Sequence, residues 1–181
     1  PTVNITDPAG VCSPATVDLT AGEVTAGSSS GLSYSYWMDA TATIVYGTPA
    51  NATSGTYYIK GTDGLGCSDI KSVTVTVNPI PVVTSSQTNI LCSGASTGAI
   101  DITVAGGMGS YNYAWTGNGV TATDEDQTGL SAGLYSVVAT DANSCSSASL
   151  DVTITEPSAM SGSITSQTNV SVFGGNDGSI T

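Results

Sequence analysis

The residues of this chain whose chemistry is easiest to specify are its four cysteines. Cys12 and Cys67 lie in the first half of the chain, and Cys92 and Cys145 lie at matching places in the second half. Four cysteines allow three pairings, and paired thiols persist in oxidising compartments outside the cytoplasm. Because each half would then close on itself, the pattern favours the disulfides Cys12–Cys67 and Cys92–Cys145. Four reduced, buried thiols are the alternative.

A second set of residues could bind calcium through carboxylate oxygens, which are the ligands that Ca²⁺ prefers. Asp124, Glu125 and Asp126 form the densest acidic run, and Asp63 and Asp141 recur at one position of two similar turns. The spacing is not that of an EF-hand. A solvated loop is the simpler interpretation of the run, and an aspartate at a turn usually bonds its own backbone. We therefore expect no cofactor, with calcium as the alternative.

Residues that could catalyse a reaction are scarce. The chain has no histidine, so a Ser-His-Asp or Cys-His arrangement is excluded. Lys60 and Lys71 are its only basic residues, and both fall on predicted strands. No motif singles out a pair of carboxylates for acid–base work. We predict that the chain is not an enzyme.

The charge of the chain excludes two classes of partner. Two basic residues stand against 14 acidic ones, which gives a net charge of −12. Nucleic-acid binding and adhesion to anionic lipid both need clustered Lys and Arg. No apolar run is long enough to cross a bilayer. We expect neither a nucleic-acid partner nor a membrane span in this segment.

The aromatic residues offer a choice between a core and a sugar-binding face. Tyr111, Tyr113 and Trp115 alternate along one predicted strand and share a face. We expect Trp115 to be a core residue, with the two tyrosines buried beside it. Exposure of the three rings would instead favour stacking on carbohydrate.

Short segments of alternating polarity, separated by turn residues, dominate both halves of the chain. No segment shows a sustained helical period with caps, so the pattern predicts an all-β fold of tandem immunoglobulin-like antiparallel β-sandwich domains. Tyr57 and Tyr135 each follow a glycine in the manner of a tyrosine corner. The predicted strands are residues 2–6, 16–20, 32–38, 43–46, 56–62, 71–77, 82–87, 99–104, 134–140 and 148–155.

An internal repeat divides the chain. Gln87-Thr88-Asn89 recurs as Gln167-Thr168-Asn169, and the two cysteine pairs recur with them, at a period of about 80 residues. We predict a sandwich at 1–80 (unit one), a second at 81–158 (unit two) and the first strands of a truncated third at 159–181. The prolines of the link Asn78-Pro79-Ile80-Pro81 predict a stiff joint.

The motifs of unit two identify a family resemblance. Unit two contains Cys92-Ser93-Gly94, the run from Gly106 to Trp115, the run from Gly129 to Tyr135 and the run from Thr140 to Cys145. Over residues 82–157 these motifs resemble the SprB repeat of gliding-motility adhesins from Bacteroidetes. Residues 161–181 resemble the start of a further repeat, with Val172 in place of cysteine. Residues 1–80 resemble the immunoglobulin-like repeats of the same surface proteins.

The resemblance implies a repeat segment of a very large, filamentous cell-surface adhesin, exported by type IX secretion and carried by the gliding motor. We expect an excerpt from such a polypeptide that acts as an extended stalk and a multivalent contact with surfaces. The expected partners are neighbouring repeats and external surfaces or polysaccharide, with the motor and secretion components bound through other parts of the chain. The alternative is a carbohydrate-binding or spacer module of a large secreted enzyme.

Overall fold

Nearly all the regular structure of the computed structural model, which describes residues 1–181, is β-strand. A 3₁₀ turn at Pro49–Asn51 is the only helical element. The predicted all-β class is confirmed. The strands in chain order are β1 (Val11–Cys12), β2 (Ser33–Trp37), β3 (Gly55–Thr62), β4 (Ser68–Val75), β5 (Val77–Asn78), β6 (Pro81–Thr88), β7 (Gly98–Gly106), β8 (Asn112–Thr116), β9 (Gln127–Leu130), β10 (Gly133–Thr140), β11 (Leu150–Ile154), β12 (Gln167–Thr168) and β13 (Ser179–Ile180).

Unit two consists of two three-stranded antiparallel sheets. One sheet has the order β6-β7-β9 and the other has the order β11-β10-β8. In β10, Tyr135, Val137 and Ala139 are buried and alternate with less buried residues, because successive side chains of a strand point to opposite faces. The buried core of unit two comprises Ile90, Ile100, Ile102, Trp115, Leu130, Tyr135, Val137, Val152 and Ile154.

Unit one has one regular antiparallel sheet, β2-β3-β4, and a short parallel pair, β1-β5. The predicted strands at 2–6 and 16–20 are wrong as regular strands. The N–H groups of Thr2 and Asn4 donate to serine side chains, and Val17 forms an isolated bridge with Ala52. Side-chain acceptors thus replace a ladder on this side. The buried core of unit one comprises Val17, Leu19, Val24, Ala52, Tyr57, Ile59, Val73 and Val75.

The two ends of each unit contain different elements. In unit one, β4 runs from the β3–β4 turn, residues 63–67, to the end where β5 pairs with β1. In unit two, β10 runs from Gly133, opposite Ile154, to Thr140, which bridges Ser146 across the β10–β11 turn, residues 141–145. We call the end with this turn the turn end, and the other the far end.

The link between the units joins the far end of unit one to the turn end of unit two. Pro81, the last residue of the link, opens β6, and Gly107 lies beside it with a φ of 65°. A Cβ atom at Gly107 would lie 3.1 Å from Pro81 Cγ and 2.8 Å from Asp141 Oδ2. Only glycine fits here, and the close approach places the β10–β11 turn next to the link.

The last residues form a hairpin of their own. Strands β12 and β13 pair Gln167 with Ile180 and Thr168 with Ser179, and both strands are fully exposed. The hairpin adds no residue to either hydrophobic core. No helix of the structure is long and apolar enough to span a membrane.

Candidate functional site at the joint between the units

The joint begins with Cys12, which the first strand holds against the end of unit one. Val11 N donates to Thr76 O at 3.1 Å, and Ser13 N donates to Asn78 O at 2.8 Å. These bonds bracket Cys12 and fix it at the last residues before the link. The thiol position is therefore at the far end of unit one.

Asp141 organises the other side of the joint. Its Oδ1 accepts hydrogen bonds from Asn143 N and Cys145 N, each at 2.9 Å, and its Oδ2 accepts one from Met108 N at 2.8 Å. Burial alone would raise the pKa of Asp141, but these three backbone donors hold it below its ordinary value. The ionised carboxylate thus ties the β10–β11 turn to the loop after β7.

A disulfide crosses the joint between Cys12 and Cys145. Their Cα atoms are 5.5 Å apart, and 133 positions separate them in the sequence. The predicted pairs Cys12–Cys67 and Cys92–Cys145 are therefore wrong in this structure. The bridge does not close either unit on itself but joins unit one to unit two.

The strands explain why the predicted pairs do not form. Cys67 precedes β4, whereas Cys12 lies beyond its other end, and the eight residues of β4 span about 25 Å. Cys145 and Cys92 are separated in the same way by β10 and β11, because Ile90 N donates to Thr155 O past the end of β11. A disulfide requires Cα atoms within about 7 Å.

The remaining two cysteines carry free thiols. Cys67 and Cys92 are both exposed, whereas Cys145 is completely buried. Cys67 lies at the turn end of unit one and Cys92 at the far end of unit two. They occupy the two ends of the joined pair, with both units between them.

The two tyrosines predicted to form corners make matching contacts. Tyr135 donates its hydroxyl to Ser131 O at 2.8 Å and lies 3.2 Å from Asn118 O. Tyr57 donates its hydroxyl to Thr53 O at 3.1 Å. Both rings are buried, so each fastens the approach to a central strand of its sheet from inside the core.

The acidic run of unit two packs around Trp115. Trp115 is 4% exposed and donates its indole N–H to Asp124 O at 2.8 Å. The buried side chain of Gln127 also reaches Asp124 O, at 3.4 Å. Asp126 Oδ1 accepts a hydrogen bond from Ile102 N at 2.9 Å, which attaches the run to β7. Backbone and carboxylate oxygens of the run therefore serve the fold.

The structure brings no three of the calcium candidates together. No group of three or more His, Cys, Asp or Glu side chains is placed to hold a metal ion. Asp63 Oδ1 accepts from Leu65 N and Cys67 N at 3.0 and 2.9 Å, and Asp141 is occupied in the same way. Asp124, Glu125 and Asp126 form no such group either. The absence of a cofactor stays a prediction, with calcium as its alternative.

The prediction that three aromatic rings are buried together is confirmed for Trp115 but wrong for Tyr111 and Tyr113. Trp115 lies in the core, while Tyr111 and Tyr113 are half-buried on the same strand face. Burial and, next to it, the hydrogen bond with Glu125 together raise the pKa of Tyr113 to about 12. Tyr111 donates its hydroxyl to Gly106 O at 2.5 Å. The face therefore does not present the three exposed rings that stacking on sugar would need.

Sequence reasoning missed a carboxylate that organises a loop of unit one. Asp39 accepts hydrogen bonds from the side chains of Thr41 and Thr43 and from the N–H of Ile44, at 2.7 Å for the last. The bond from Thr41 and the one from Ile44 hold the pKa of Asp39 far below its usual range. The Asp-x-Thr-x-Thr spacing is the signal that could have found this loop.

Comparison with known families assigns unit two. Residues 84–120, which include β7, β8 and Cys92, match the family model described as the SprB repeat. These residues of unit two carry a SprB-type repeat. The SprB repeat thus contributes Cys92 and Trp115, whereas Cys145 lies beyond the matched residues. No curated protein matches the chain in sequence.

Solved structures show the fold in which this SprB repeat is set. The eight N-terminal immunoglobulin domains of Down syndrome cell adhesion molecule align with a TM-score of 0.58 at 12% identity, over 84% of this chain and 27% of theirs. The insect immune protein hemolin aligns at 15% identity and a TM-score of 0.43, over 85% and 46%. The fibronectin(III)-like modules of Clostridium thermocellum CbhA align at 18% identity and 0.37, over 86% and 95%. The first likeness shows an immunoglobulin-like β-sandwich fold.

Proposed function

We propose that this chain is a stalk segment of a large cell-surface adhesin that attaches cells to surfaces and takes part in gliding motility. The SprB repeat at residues 84–120 supports an adhesin-type repeat. The disulfide supports an extracellular location, because such bonds persist in oxidising compartments. Type IX secretion and the gliding motor would act through other parts of the polypeptide.

The observation that carries the proposal is the disulfide across the joint. A stalk must hold its successive units in order while load passes along it. Cys12 and Cys145 join the far end of one unit to the turn end of the next, at a link that already contains two prolines. The covalent bond and the stiff link together restrict bending between units. This suits a stalk better than a module that must move around a ligand.

The surface charge supports an extended array rather than a compact one. A net charge of −12 on 181 residues makes successive units repel one another. Contacts with an external surface or polysaccharide would then be many and individually weak, and repetition would raise their avidity. Such a segment needs no catalytic group, and the chain has no histidine.

Labelling of live cells tests this proposal. An antibody raised against residues 1–157 should bind the surface of intact cells, and its label should travel along them. The same antibody adsorbed with the purified chain is the control. Label that stays in place on the cell would support the stalk of a surface adhesin but contradict a part in gliding motility. Antigen in the medium, with no surface label, would replace the proposal by a module of a secreted enzyme.

A further inference from the structure

We propose that Cys67 and Cys92 are the two open halves of further bridges of the Cys12–Cys145 kind. In this assignment Cys92 bonds the turn cysteine of the unit that follows unit two, and Cys67 bonds the far-end cysteine of the unit that precedes unit one. The proposal deepens the stalk function and rests on it, because it needs neighbouring units in the same polypeptide.

The turn that holds Cys67 is the same structure as the turn that holds Cys145. Cys67 N donates to Asp63 Oδ1 and Cys145 N to Asp141 Oδ1, both at 2.9 Å. Asp63 N and Asp141 N donate in return to the carbonyl oxygens of the two cysteines, again at 2.9 Å. The residue before each cysteine has a positive φ, 84° at Gly66 and 62° at Ser144. Cys145 in the turn of unit two forms a disulfide, whereas Cys67 in the matching turn of unit one is a free thiol.

Cys92 lies at the far end of unit two, as Cys12 lies at the far end of unit one. Ala15 N donates to Cys12 O at 2.9 Å, and Ala95 N donates to Cys92 O at 3.1 Å, so a four-residue turn follows each cysteine. The two turns differ inside, because Ser13-Pro14 is a cis peptide and Gly94 has a φ of 78°. Cys12 lies beside the link after unit one. Cys92 lines an open groove with the residues that leave unit two, Pro157 to Met160.

A bridge between a far end and a turn end is heterologous, and heterologous contacts repeat from one unit to the next wherever both cysteines are present. Val172 stands at the far-end position of the residues after unit two, so the next unit can accept a bridge from Cys92 but cannot pass one on through that position. Unit one presents its free turn cysteine at the end where Val3 N donates to Asp69 Oδ2, so the start of unit one passes beside Cys67. A preceding unit would therefore arrive next to its bonding partner.

Exposure separates the bridged cysteines from the open ones. Cys145 is completely buried and Cys12 is half-buried, whereas Cys67 and Cys92 are exposed. They also cannot bond each other within the chain, because both units lie between them. Exposed thiols in an oxidising compartment react, so a defined partner at each position is the simplest arrangement.

Formation of each bridge is an oxidation that needs an acceptor for two electrons. Two thiols lose two protons and two electrons as the sulfur–sulfur bond forms. A disulfide oxidant such as oxidised glutathione, or a protein disulfide of the oxidising compartment, takes them and becomes two thiols. The reaction proceeds through a mixed disulfide, for which both cysteines here are sufficiently exposed.

Disulfide mapping of the full-length protein from cells tests the proposal. Free thiols are alkylated with a first reagent in denaturant without reductant. After reduction, the cysteines released from disulfides are alkylated with a second, distinguishable reagent, and the peptides are identified by mass. Cys67 and Cys92 should carry only the second label. Before reduction, the peptide joined to Cys92 should contain the Asp-x-x-x-Cys turn seen at Asp141–Cys145. Cys12 and Cys145 serve as the internal control.

Two results would overturn the assignment. The first label on Cys67 and Cys92 would show free thiols, and a Cys67–Cys92 linkage between separate copies would show pairing by chance contact. The proposed stalk function and the proposed bridges fail with different experimental results. Cells without surface label but with mapped bridges would remove the adhesin role alone, whereas labelled cells with alkylated thiols would remove the bridges alone.

Discussion

At the scale of single residues, the hydroxyl of Tyr135 makes a sharp prediction. Tyr135→Phe removes the donor to Ser131 O and leaves buried polar groups unpaired. We expect a loss of about 1–3 kcal/mol in the free energy of unfolding of unit two. Urea unfolding followed by the fluorescence of Trp115, in a Trp37→Phe background, measures it. Tyr111→Phe, which alters a half-buried hydroxyl, is the control and should cost less; equal losses would contradict the corner.

Asp141 predicts a dependence of stability on pH. Because its pKa is lowered in the folded protein, the ionised carboxylate stabilises the fold above the unfolded-state pKa, and this contribution is lost as the pH falls through the folded-state pKa. Tm should therefore decline below about pH 4. Asp141→Asn should flatten this decline, while Asp101→Asn, on an exposed position of β7, should follow the wild type. Parallel curves for all three proteins would refute the role of Asp141.

At the scale of elements, the loop after β8 depends on a glycine that packs on the tyrosine corner. Gly117 has a φ of 142°, and a Cβ atom there would lie 2.3 Å from Tyr135 Cδ1. Gly119 also has a positive φ, 79°, but open space around it. Gly117→Ala should therefore cost about 1–3 kcal/mol more than Gly119→Ala, through overpacking alone. Chemical unfolding of both variants makes the comparison, and equal costs would mean that the loop moves aside.

The strands and the disulfide also show how much of the structure the sequence predicts. The sequence predicted a strand at residues 134–140, and β10 confirms it, because period 2 is a property of the chain itself. The burial of Tyr135 comes from the structure. The irregular layer of unit one was not predictable, since residues 2–6 alternate like a strand but bond to serine side chains.

The sequence predicted that the cysteines form disulfides, but it predicted the wrong pairs. Repetition shows which cysteines are equivalent, but only the length of β4 shows that Cys12 and Cys67 lie at opposite ends.

At the scale of the whole molecule, the bridge should couple the stabilities of the two units. Replacing both Cys12 and Cys145 by serine should lower the stability of the chain by about 2–4 kcal/mol and separate one thermal transition into two. Calorimetry under non-reducing conditions measures this. The matched variant with Cys67 and Cys92 replaced by serine should behave like the wild type, because both thiols are exposed. A single transition in both variants would show that the units cooperate without the bridge.

The bridge also decides which part of the chain bears tension. Force applied to the two termini passes from Cys12 through the sulfur–sulfur bond to Cys145, so the 133-residue separation between them forms a loop outside the force path. That loop contains every strand from β2 to β10 and would otherwise lengthen by about 450 Å at ~3.4 Å per residue. While the bridge is intact, tension therefore enters through residues 1–12 of unit one and leaves through β11 of unit two. After reduction of this bond, unfolding of the two units under force would add the length of the loop to the segment. The oxidation state of the joint therefore sets how far the segment can stretch.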